Sequence, residues 1–66
     1  MEFRVEEKDG DIIVTDGVFT AIYYFRPDKR DPQLKLKRQT HTDDLTLRAR
    51  AWMAAREKAR QLGWIV

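Results

Sequence analysis

Residues 18–25, Val-Phe-Thr-Ala-Ile-Tyr-Tyr-Phe, are β-branched or aromatic at every position except Ala21. Side chains of that shape fit a pleated, packed surface and mark a strand. Because the run is apolar on both faces, it belongs at the centre of a sheet. The chain has few means of covering it. It is 66 residues long and has no cysteine, so disulfides and thiolate metal sites are excluded. A domain of this size buries only about 60% of the surface its unfolded chain exposes. The other apolar segments, or a partner subunit, must therefore supply the cover.

Those segments can be placed by their periods. Residues 2–7 alternate, with Phe3 and Val5 on one side and Glu2, Arg4 and Glu6 on the other, as in a half-buried strand. Asp9-Gly10 is a strong turn dipeptide. Residues 11–25 continue as strand with a possible break at Asp16-Gly17, where glycine takes positive φ cheaply. One bulged strand and two separate strands both fit. Two prolines and five charged residues make 26–32 a loop. Residues 33–39 alternate again, with Leu34 and Leu36 inward and Lys35 and Lys37 outward.

Residues 43–62 read as a helix rich in alanine. Thr42 is placed to cap it, Asp43 and Asp44 suit its first turn, and Gly63 sits where a helix-ending glycine belongs. Leu45, Ala49, Trp52, Ala55, Ala59 and Leu62 form one apolar stripe. Trp64 is placed to fold back on the last turn. The order predicts an α+β fold: a small antiparallel three-stranded sheet, β-β-β-α in sequence, with one C-terminal helix packed on one face. A single domain spans residues 1–66.

The residues that carry chemistry are few. There is no serine and no cysteine, which removes the commonest nucleophiles. A lone His41 cannot build a histidine-rich metal site, and Asp43 and Asp44 point about 100° apart on a helix. No glycine-rich phosphate loop or calcium loop is present. The inventory predicts a protein that is not an enzyme, with no cofactor, no metal and no small-molecule substrate. No run reaches the roughly 18 to 20 apolar residues of a membrane span, and the charged N-terminus has no signal-peptide character. The expected location is the cytoplasm.

Charge is unevenly spread. Residues 1–16 hold six acids and two bases, net −4, whereas residues 17–66 hold eleven bases and five acids, net +6. The two halves pair internally, or the basic part meets an anionic partner. If the helix covers Leu34 and Leu36, Lys35 and Lys37 lie on the opposite face. Either register of 18–25 then puts Tyr23 or Tyr24 beside them. Arg38 adds to this face, and Arg26, Lys29 and Arg30 extend it into the loop. Arg48 and Arg56 fall within or beside the helix stripe, where an acidic partner from 1–16 would resolve the misfit. Lysines take phosphates and aromatic rings stack bases, so one expectation is a small accessory nucleic-acid-binding protein. The other is a protein-interaction module, a homodimer or a small bacterial or phage inhibitor. It would use the open sheet face or the Trp64-Ile65-Val66 tail.

Residues 19–25, the loop 26–32, Leu34-Lys35-Leu36-Lys37-Arg38, and Thr42 leading into a helix with Trp52 resemble the three-stranded-sheet-plus-helix DNA-binding domains of the AP2 and integrase arm-type class. The resemblance implies a sheet lying in the DNA major groove with the helix behind it. Lys35, Lys37 and Arg38 would contact bases or phosphates, with Tyr23 or Tyr24 beside them.

Overall fold

A computed structural model describes residues 3–26, 30 and 33–65. The elements are β1 (Arg4–Lys8), β2 (Asp11–Thr15), β3 (Thr20–Arg26), β4 (Gln33–Gln39) and α1 (Leu45–Gln61). The strands form one antiparallel sheet in the order β1-β2-β3-β4. The fold is α+β with a single C-terminal helix, but the sheet has four strands where the sequence predicts three.

The fourth strand arises at residues 16–19. Asp16 Oδ1 accepts from the Val18 N–H at 2.9 Å and from the Phe19 N–H at 2.7 Å. Thr15 Oγ1 accepts from the Gly17 N–H at 3.1 Å, and Gly17 takes φ +102°. Such local side-chain acceptors let the backbone leave the ladder and close a turn. Residues 11–25 therefore double back as two strands. The β1–β2 turn is a two-residue loop with Asp9 at φ +53° and Gly10 at φ +87°, the geometry that Asp-Gly favours in hairpins.

Alternation along the paired strands sends Ile12, Val14, Ala21, Tyr23 and Leu34 to one face, where all are buried, with Phe19 beside them. α1 covers this face over β2 and the margin of β1. Its fully buried residues are Ala51, Ala55 and Ala59, four apart, with Leu47 and Ala54 half-buried alongside. Relative to the stripe expected from the sequence, the helix has turned by about 80° at 100° per residue. Alanine lets the helix backbone approach Ile12 and Val14 closely, which Leu45 or Trp52 at the contact would prevent. Trp52 instead flanks the contact and tilts against Tyr23, with ring centroids 5.5 Å apart. The rotation removes the arginine misfit. Arg56 is exposed, Arg48 lines a groove beside Tyr23, Leu36 and Trp52, and among the described residues the expected pairing of Arg48 and Arg56 with acids of 1–16 does not form.

The helix ends also differ in detail. Asp44, not Thr42, is the N-cap, and its carboxylate accepts from the Leu47 N–H at 3.0 Å. Thr42 Oγ1 accepts from the Asp44 N–H at 3.1 Å one step earlier, and no acid lies in the first turn. At the far end Gly63, at φ +78°, donates to the Arg60 carbonyl and Trp64 N–H donates to the Ala59 carbonyl. That pair of bonds is a Schellman motif. The Trp64 ring packs on Phe25 of β3, centroids 5.5 Å apart. Trp64 and Ile65 are therefore spent inside the fold, while Val66 lies outside the described residues. Among the described residues no helix is long and apolar enough to cross a membrane.

Candidate nucleic-acid interface

The face of the sheet turned away from α1 is uncovered. Two cross-strand rows define it. One runs Lys35–Tyr24–Asp11–Lys8 and the other Arg38–Ile22–Ile13–Glu6, each from β4 to β1. Arg26 stands at one end of the face and Arg4 at the other. Tyr24, Ile22 and Ile13 are half-buried, so their flanks remain open to solvent at the centre.

A β-bulge brings the basic residues together. Tyr23 pairs with Leu36 but Ile22 pairs with Arg38, leaving Lys37 as the extra residue. Strict alternation would turn Arg38 toward the helix. With the bulge, Arg38 stands opposite Ile22 on the open face. Lys37 also reaches across that face, where its Nζ meets Asp11 Oδ2 at 3.0 Å. The lysine is 56% exposed and the aspartate 26%. A pair this wet contributes about 0–1 kcal/mol, so it holds Lys37 in place more than it stabilises the sheet.

Of the residues named from the sequence, Lys35, Lys37, Arg38, Tyr24 and Arg26 share the open face. Tyr23 does not. It is 3% exposed and points into the core, because it sits in register with Ile12 and Leu36 on the helix side. Burial pushes its phenol above the ordinary 10.0, an effect that the Arg48 guanidinium opposes. Arg30 is exposed in the loop, and Lys29 lies outside the described residues. His41 is exposed, 3.9 Å from the Asp43 carboxylate.

Arg4, Lys8 and Ile13 belong to the face and were not singled out by sequence. For Arg4 the signal is the alternation of 2–7, which puts it on the side opposite Val5, whereas Lys8 and Ile13 reach the face through the pairing of β1, β2 and β3. The acids of the N-terminal segment divide by position. Asp16 closes the β2–β3 turn, Glu7 Oε2 accepts from the Gly10 N–H at 2.9 Å, and Asp11 engages Lys37. Among the described residues, Glu6 and Asp11 are the acids that reach the open face, against Arg4, Lys8, Arg26, Lys35, Lys37 and Arg38. The face is net basic, with its cations concentrated on β4.

No protein-family model matches the chain, and neither a curated protein nor a solved structure matches it.

Proposed function

We propose that the chain is a small, non-enzymatic, cytoplasmic accessory protein that binds nucleic acid through the open face of its sheet. The observation that carries this reading is the convergence of Lys35, Lys37, Arg38 and Arg26 beside Tyr24 and Ile22 on one uncovered surface. Cations there take phosphates, and each phosphate neutralised releases counterions. The apolar centre offers contact area to bases.

Fluorescence anisotropy of labelled oligonucleotides across a salt series tests it. With three to five phosphates engaged, log K should fall against log salt with a slope of about −2 to −4. K35E and R38E should weaken binding, while D11N, which frees Lys37 and removes an anion, should strengthen it. Binding that ignores salt, or no binding at the lowest salt, rules the reading out.

A second reading rests on the other side of the molecule. Leu45 is 71% exposed, Leu36 44% and Trp52 37%. They line one groove beside β4, whose outer backbone edge has no neighbouring strand among the described residues. A second copy of the chain covering this patch would enlarge a small core.

A further inference from the structure

We propose that the ligand of the open face is a single strand of nucleic acid, its phosphates along β4 and a base stacked on Tyr24. The inference rests on the nucleic-acid reading and narrows it to a substrate class.

The first argument is the asymmetry of charge across the face. In both rows the order from β4 inward is cation, apolar side chain, then acid: Lys35, Tyr24, Asp11 in one and Arg38, Ile22, Glu6 beyond Ile13 in the other. The densest basic rail is on β4, where Lys37 joins Lys35 and Arg38 through the bulge, whereas β1 sets Arg4 and Lys8 on either side of Glu6. A duplex presents two phosphate backbones, one on each side of a groove. If one followed β4, the other would run toward β1 and β2, whose open-face charges, Arg4 and Lys8 against Glu6 and Asp11, cancel. A single strand needs one rail only, and its bases turn inward over β3.

The second argument is width. Four strands are separated by three gaps of about 4.8 Å, so the sheet is about 14 Å across its backbone. The major groove of B-DNA is about 12 Å wide and takes a helix or a two-stranded ribbon. The division of residues 11–25 into two strands is thus what makes the sheet too broad to enter.

The third argument is the apolar centre. Ile22 and Tyr24 are two residues apart on β3 and Ile13 is paired with Ile22, so the three form a continuous half-buried platform. A phosphate backbone gains nothing from such a surface. An unstacked base gains aromatic contact on Tyr24 and apolar contact on the isoleucines.

The test compares a labelled mixed-sequence 12-mer as DNA single strand, RNA single strand and DNA duplex, by anisotropy at low salt. Wild type, Y24A and Y24F are measured, with circular dichroism and melting to show that each variant is folded. The proposal expects a single strand to bind more tightly than the duplex, Y24A to lose about 5- to 100-fold, and Y24F to keep most of the affinity. Duplex binding as tight as single-strand binding overturns it. So does a folded Y24A that binds like wild type. In either case K35E and R38E still report on the broader reading, which survives if they weaken binding. Absence of binding to all three oligonucleotides removes the broader reading and this one together.

Discussion

Asp16 shows how one short side chain can change a topology. Its carboxylate accepts two backbone N–H groups, from Phe19 and Val18, and these hold its pKa below the ordinary 3.8. An acid depressed in the folded state contributes stability above its unfolded pKa and loses it as pH falls through the folded value. Wild type should therefore melt above D16N at pH 7, and the gap should narrow as pH drops below about 4. Melting curves from pH 7 to pH 2 check this. A gap that does not change with pH would assign the effect to amide geometry and not to charge. The same scale explains a limit of sequence reading. Asp16-Gly17 is visible as a break, but a bulge and a turn use the same dipeptide. What separates them is which backbone groups the carboxylate reaches, and that depends on the folded path.

At the scale of elements, α1 illustrates a conflict between two apolar stripes. Leu45, Ala49 and Trp52 compete with Leu47, Ala51 and Ala54 for the sheet, and both sets share Ala55 and Ala59. Hydrophobicity favours the first set, because it holds the larger side chains. Packing favours the second, because alanine permits close approach to Ile12 and Val14. Enlarging each stripe in turn separates them. A51L, at a fully buried position, should cost about 1–3 kcal/mol from overpacking. In a domain this size that lowers Tm by several degrees per kcal/mol. A49L, at an exposed position lining the groove beside Trp52, should leave Tm nearly unchanged. A larger loss for A49L than for A51L would mean that the helix faces the sheet in the phase read from hydrophobicity. The Schellman end, by contrast, was legible in advance, since Gly63 and the bonds around it involve residues a few positions apart.

For the whole molecule, the question is what covers each face of a small sheet. One face carries α1 off centre over β2, so Trp52 and Trp64 must cover Tyr23 and Phe25 from the sides. The patch of Leu36, Leu45 and Trp52 that this leaves predicts self-association. Light scattering should show a molar mass rising with concentration from 7.9 kDa toward twice that value, and L45E should hold it at the monomer. A constant mass up to millimolar concentration removes the dimer. The open face follows other rules, because apart from the Lys37–Asp11 pair its charges and the outer flank of Tyr24 meet solvent. Sequence by itself determined the α+β class and the elements other than the division of 11–25 into two strands, through the two-sided run 18–25, the alternation of 2–7 and 33–39, the turn dipeptides and the alanine-rich helix. Each of those signals depends on neighbours close in the chain. Tertiary structure decided that Tyr24 faces outward and Tyr23 inward, that the helix presents its alanines, and that a bulge sets Arg38 beside Lys37. Period-two alternation reads the same when its faces are exchanged, and a helix with two stripes has two phases. Only the long-range packing of Ala51, Ala55 and Ala59 over β2, and the pairing of β3 with β4, breaks those ties.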